Sequence, residues 1–438
     1  MCQGRPYEKL LYIFSIAEIT LVATLAPERQ ELFFFRIWMY LFMATAIAVE
    51  SVRTIQFPYL VGFVLHHSTC LNHQTSLIQY GALLLFSVFL GMLYGEMDFQ
   101  KYPDSDGPYD VGYVMARSLK YGNEVQVFYP IKIREDSDEL EVADWLPHGD
   151  KSITGILALT VSLCNLVKVP FVHLQAKGLK HVKSMVYKNA ALSEDFKGKA
   201  IVPIVFSHGL QSATFLYTMA LRDLASHGFL VLALNHQDGS NLHTVTRDGV
   251  DKFYGAKEAL EIRDKREPQL RRREEEMREL INDLIDPSSR MDGVLGSAKL
   301  PEWLSIDTNA LVVAGHSFGG TTAIRTAINL NDQVKAVLAF DPWVYPYDEE
   351  ALNGNVRVPA PLIAVNCEYF HHITTFEVWK AIDCVFKASS ESSNQCWRVK
   401  NFYHRLQTDL GVLIPLEFSA IERFRPSTRD PYKYFMHT

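Results

Sequence analysis

The stretch Leu311-Val312-Val313-Ala314-Gly315-His316-Ser317-Phe318-Gly319-Gly320 constrains this chain more than any other. An apolar run of strand type enters Gly-x-Ser-x-Gly and leaves into a helical pattern. Small residues allow a tight strand-to-helix turn that lifts the Ser317 hydroxyl clear of its neighbours. Such a turn belongs to a mostly parallel sheet covered by helices, and the surrounding order of short β-rich runs and helical patterns agrees. The strand candidates are Ile201 to Phe206, Phe229 to Leu234, Ala310 to Ala314, Val334 to Phe340 and Pro361 to Val365, with Val125 to Tyr129 earlier. Between the second and third of these lies a charged segment, Ala256 to Asp286. Its apolar residues predict an amphipathic cover helix interrupted near Pro268, with the charges forming a solvated face. The fold class is α/β, of the α/β-hydrolase type.

A serine hydroxyl is a weak nucleophile near neutral pH. It needs an imidazole as base and a carboxylate that fixes the imidazole tautomer. In an α/β-hydrolase these follow the serine in the order acid, then histidine. Asp341 closes the next strand candidate, whereas Asp348 and Asp383 do not directly end a β-rich run. Of the later histidines, His371 and His372 follow a strand closely and His437 is penultimate, while His404 lies in a late loop before a helical pattern. The predicted catalytic set is therefore Ser317, Asp341 and His404. A developing oxyanion also needs backbone N–H donors. Phe318, directly after the serine, and Leu210, in the turn Ser207-His208-Gly209-Leu210 after an earlier strand, are the candidates.

Net charge is −7 over 438 residues, with 48% hydrophobic and 21% charged residues, a balance that excludes a disordered chain and makes nucleic acid a poor partner. The charges are unevenly spread, since residues 1–95 hold only ten Asp, Glu, Lys or Arg. Apolar runs from Leu10 to Ala26, Leu32 to Val49, Ile55 to Leu65 and Ser76 to Tyr94 compare with the about 20 residues of a spanning helix. The second and fourth are long enough, the first is borderline and the third is short, which predicts an integral, multi-pass N-terminal transmembrane region of three or four helices, residues 1–97, ahead of a catalytic domain, residues 98–438. The alternative is an ordinary apolar helical core. Glu18 and Arg36 lie inside the first two runs and are expected to face each other. The apolar stretch Ile156 to Val172 is too short to span and suits either a membrane interface or a buried helix. Lysines and arginines around these runs do not set an orientation. Six scattered cysteines show no zinc spacing, so neither metal nor cofactor is expected. Cys367, Cys384 and Cys396 are close enough in sequence for a disulfide, which the sequence leaves open.

Taken together, Phe206-Ser207-His208-Gly209-Leu210, Asp223-Leu224-Ala225-Ser226-His227-Gly228-Phe229, His236-Gln237-Asp238-Gly239-Ser240, the serine motif and Asp341-Pro342-Trp343 resemble the platelet-activating factor acetylhydrolase family. The resemblance runs from about Gly107 to Asp409. It implies Ser317 as nucleophile, Asp341 as acid, His404 as base, and Leu210 and Phe318 as oxyanion donors. It further implies a calcium-independent serine hydrolase that cleaves the sn-2 ester of glycerophospholipids with short or oxidised acyl chains. Phospholipid is then the substrate, and the N-terminal helices, with Ile156 to Val172, hold the protein at the bilayer. Lys400-Asn401-Phe402-Tyr403 departs from the family pattern before the histidine, and Gln237 replaces a basic residue. Two other readings are a general carboxylesterase or acylglycerol lipase, because pocket shape fixes the substrate, and a non-catalytic membrane scaffold or receptor with a hydrolase fold.

Overall fold

The apolar runs of the N-terminal segment fold as four helices in the computed structural model: α1 Pro6–Thr24, α2 Gln30–Glu50, α3 Phe57–His67 and α4 His73–Tyr94. The structure describes residues 6–24, 30–50, 56–67, 73–94, 104–133, 140–164, 179–254, 262–370, 377–389, 393–400 and 402–413. They fall in two units, one of residues 1–101 and 166–182, the other of residues 102–165 and 183–438.

The first unit buries Leu11, Met39, Ala46, Tyr59, Phe63, Tyr80 and Leu84 as its core. Several of its buried polar groups are paired. Ser15 Oγ and Tyr59 OH are 2.9 Å apart, and Tyr59 N–H donates to Ser87 Oγ at 2.9 Å. The Glu18 carboxylate meets His67 Nε2 at 2.8 Å. It was expected to face Arg36, whose side chain lies outside the described residues. Among the described residues no helix is long and apolar enough to cross a membrane, which overturns the expectation of an integral, multi-pass protein with a transmembrane region. The apolar runs serve an interhelical core instead. Ionisable residues interrupt the first two, at Glu18 and Arg36. The third helix has 11 residues. At 1.5 Å per residue it is about 16 Å long, roughly half a hydrocarbon core.

In the second unit the strands are β1 Asp110–Arg117, β2 Glu124–Ile131, β3 Val142–Asp144, β4 Lys183–Lys188, β5 Ala200–Ile201, β6 Pro203–Ser207 and β7 Leu230–Leu234. They continue as β8 His243–Val245, β9 Asp251–Phe253, β10 Ser305–Ile306, β11 Val312–His316, β12 Ala336–Phe340, β13 Leu362–Cys367 and β14 Gln395–Val399. Ten form one sheet in the order β14-β13-β12-β11-β6-β7-β2-β1-β4-β3. From β14 through β7 every neighbouring pair is parallel, and β2 joins β7 antiparallel. Every residue of β6 and β7 is buried, as expected of parallel strands covered on both faces.

Three helices matter to the site. The first, α5 Asp150–Cys164, holds the start of the apolar stretch; Ile153 and Ile156 are buried, and a Cβ on Gly155 would lie 2.8 Å from the Leu242 carbonyl oxygen. Residues 165–172 of that stretch lie outside the described residues. The cover helix α6, Arg263–Ile285, runs without a break through Pro268. The expected interruption does not occur, because near the helix start proline forgoes only the bond to the Asp264 carbonyl. The third is α7, Phe318–Asn329, which starts immediately after Ser317.

Candidate active site

Parallel register places the site. His316 pairs with Phe340 across β11 and β12, and Phe340 with Val365 across β12 and β13, so the chain leaves three adjacent strands at one edge. Ser317 follows β11 with φ 56° and ψ −119°. A left-handed φ is uncommon for a non-glycine residue and must be held by its surroundings. Ser317 N–H donates to Phe340 O at 2.8 Å, and Trp343 N–H donates to Ser317 O at 3.0 Å. The flanking glycines are required by close approach. A Cβ on Gly315 would lie 2.2 Å from the Gly319 oxygen, and one on Gly319 would lie 2.0 Å from the Ser207 oxygen.

Asp341 follows β12, also at positive φ, and is completely buried. Its Oδ1 accepts the Cys367 N–H at 2.6 Å, and its Oδ2 faces His404 Nδ1 at 2.9 Å. Burial pushes the carboxyl well above its ordinary value, against the Cys367 thiol and N–H, which pull it down. His404 opens a 3-10 turn, His404–Gln407. Its ring stacks on Phe370 at 4.4 Å and 7°, with His316 at 4.4 Å. The following residues are anchored as well. Asp409 N–H donates to Leu216 O at 2.7 Å, and Asp409 Oδ2 accepts Trp145 Nε1–H at 2.9 Å. The loop that carries Lys400 to Tyr403 therefore still delivers histidine to the carboxylate. With Asp341 on Nδ1, Nε2 is the basic nitrogen. Ser317 Oγ makes no hydrogen bond among the described residues.

The turn after β6 approaches the same point. A Cβ on Gly209 would lie 3.3 Å from Ser317 Cβ. Among the described residues, neither Leu210 N–H nor Phe318 N–H donates to another group. The N-terminus of α7 adds the positive end of a helix dipole beside them. Burial holds His316 neutral, its pKa lowered to about 3. Its Nδ1 accepts from Tyr217 OH at 2.8 Å and its Nε2–H donates to His404 O at 3.2 Å. Tyr217 OH in turn accepts Gly209 N–H at 3.1 Å. A chain of hydrogen bonds thus ties the turn after β6 to the histidine loop. Ligand atoms of His316, Asp341 and His404 lie within 4.8 Å of one another. Both His316 nitrogens and His404 Nδ1 are already engaged, so the group is a hydrogen-bonded set rather than a metal cage.

The residues missed from sequence are Tyr217, His316 and Arg273. His316 was visible as the variable letter of the motif, and Arg273 shares a seven-residue spacing with buried Arg266 on α6. Asp348 and Asp383 stand elsewhere, paired with Arg263 and Arg398. His371, His372 and His437 lie outside the described residues. Among the described residues Cys367, Cys384 and Cys396 form no disulfide.

Residues 94–424 match the family described as platelet-activating factor acetylhydrolase, isoform II, and the chain belongs to that family. A platelet-activating factor acetylhydrolase of Cavia porcellus is 29% identical over 283 residues, covering 61% of this chain and 61% of the relative. The match thus spans about three fifths of that relative's length. A putative phospholipase A2 of Schizosaccharomyces pombe is 26% identical over 377 residues, covering 71% of this chain and 82% of the relative. Among solved structures, a ferulic acid esterase from Streptomyces cinnamoneus is 16% identical at a TM-score of 0.44, covering 68% of this chain and 74% of that one.

Proposed function

We propose that this member of the platelet-activating factor acetylhydrolase family is a serine-dependent carboxylic ester hydrolase that cleaves the sn-2 ester of glycerophospholipids carrying short or oxidised acyl chains. The observation that carries the reading is the bond between Asp341 Oδ2 and His404 Nδ1, beside a serine held at φ 56° at the start of a helix. His404 Nε2 takes the proton from Ser317 Oγ as the oxygen attacks the ester carbonyl. The Leu210 and Phe318 N–H groups receive the oxyanion. A carboxylate as dry as Asp341 gains from the imidazolium that this transfer creates, because the buried negative charge then has a positive partner. His404 returns the proton to the departing lysophospholipid oxygen. Water, deprotonated by the same nitrogen, then attacks the acyl carbonyl, and His404 returns that proton to the departing Ser317 Oγ as the carboxylic acid leaves.

The four N-terminal helices expose Ile13, Ile16, Phe34, Leu41, Ile78 and Leu85. This apolar surface supports association of the first unit with a lipid surface, where such substrates partition.

The reading is tested by acetate release from vesicles containing 1-alkyl-2-acetyl-phosphatidylcholine. Wild type is expected to release acetate and Ser317→Ala to lose at least about 10³-fold. Equal rates defeat it. Faster turnover of neutral acylglycerol esters than of phospholipid would favour the general lipase instead.

A further inference from the structure

Arg273 lies on the charged cover helix, yet it is completely buried, and its guanidinium reaches the turn after β6 and the Phe318 ring. Nε donates to Asp238 Oδ2 at 2.9 Å, Nη1 to His208 O at 2.5 Å, and Nη2 to Ser240 Oγ at 2.5 Å and Gly209 O at 3.3 Å. Its Cζ stands 4.5 Å from the centroid of the Phe318 ring. One arginine therefore touches both residues, or the peptide units, that carry the two oxyanion donors.

Gly209 O and Leu210 N–H belong to a single peptide unit. In a trans peptide the two point in opposite directions, so a carbonyl drawn to the guanidinium turns the N–H away from it. His208 adds to the pull. Its Nε2 accepts from His236 N–H at 3.2 Å and Asn241 Nδ2 at 3.1 Å, which leaves Nδ1–H to donate to Gly209 O at 2.7 Å. Charge-assisted donation to a carbonyl also makes the attached N–H a stronger donor. Asp238, whose carboxylate is without solvent exposure, neutralises the arginine in place, so the guanidinium is anchored rather than available to substrate.

We propose that Arg273 is a positioning residue for oxyanion stabilisation, fixing the Gly209–Leu210 peptide and the Phe318 ring so that their N–H groups converge on the ester oxygen. The inference rests on the serine-hydrolase reading above and extends it to a residue outside the triad.

The test compares wild type with Arg273→Lys, which keeps the charge and loses the planar fork. Rates on a short-acyl phosphatidylcholine are expressed per active site titrated with a fluorophosphonate. The expected result is a fall in kcat of about 10- to 100-fold, with KM unchanged within about threefold. Affinity for a trifluoromethyl ketone, which binds serine as an oxyanion hemiketal, should fall in parallel with kcat. A merely structural role would lower only the titratable fraction. Unchanged kcat per site and unchanged ketone affinity overturn the proposal. Should Arg273→Lys yield no titratable protein, Ser240→Ala removes one acceptor while the ion pair with Asp238 stays. A smaller loss with the same kcat-against-KM split is then expected, and wild-type kcat overturns the proposal. Absence of Ser317-dependent turnover in wild type would instead overturn the parent reading, and this one with it.

Discussion

Asp341 Oδ2 and His404 Nδ1 stand 2.9 Å apart across 63 residues of sequence, both side chains almost wholly removed from water. Neither could be left alone there, since a buried polar group without a hydrogen-bond partner is costly. Packing that buries both therefore specifies their contact, and with it the tautomer of His404.

Replacing the acid tests that relationship. Asp341→Asn keeps an oxygen for the Cys367 N–H but turns an amide toward His404 Nδ1, which reverses the tautomer and removes the basic Nε2. Turnover should fall by about 10⁴-fold, with thermal unfolding little changed. Steady-state kinetics on purified, folded variant check this, and a loss below tenfold would argue against the assigned role.

The serine turn leaves no room at one glycine and a little at its neighbour. A methyl group on Gly319 would stand 2.0 Å from the backbone oxygen of Ser207, whereas one on Gly320 comes no closer than 3.1 Å to Pro342. Gly319→Ala should therefore cost at least about 3 kcal/mol, and Gly320→Ala less than half of that. Urea unfolding of the two variants decides it, and equal midpoints would contradict the packing described.

His316 gives acid sensitivity a definite sign. Burial lowers its pKa from 6.5 to about 3, so near pH 5 the unfolded chain binds a proton that the folded protein does not. Stability then rises with pH through this region. Its contribution is complete above pH 6.5 and is lost as pH falls toward about 3. His316→Gln, which cannot titrate, should show a shallower loss of unfolding free energy between pH 6.5 and 4 than wild type. Parallel curves would mean that other groups dominate.

Much of this was legible in the sequence, for physical reasons. Strands β6, β7, β11, β12 and β13 are apolar runs in the parallel part of the sheet, and the serine motif marks the turn that ends one of them. β4, Lys183-Ser184-Met185-Val186-Tyr187-Lys188, and β14, Gln395-Cys396-Trp397-Arg398-Val399, mix polar and apolar residues without a regular period near the sheet edge, so their patterning is weak. Charge misled most on α6. A run of arginines and glutamates suggests solvent, yet Arg266, Arg273 and Glu276 are buried along with Leu270, Met277 and Leu284. What the eye counts as a solvated face contains polar residues at core spacing; Arg273 and Glu276 are matched from distant loops, by Asp238 and His236, and Arg266 by Gln269 one turn along the same helix. The N-terminal runs misled in the opposite way, because apolar density alone does not separate a spanning helix from one that packs around Tyr59 and Phe63.

The most direct measurement is intact-protein mass spectrometry after exposure to a fluorophosphonate, with peptide mapping of the adduct. An activated serine predicts a single stoichiometric adduct on Ser317, formed far more slowly in His404→Ala and not at all in Ser317→Ala. A folded wild-type protein that takes up no reagent, or takes it up elsewhere, would contradict the account at its centre.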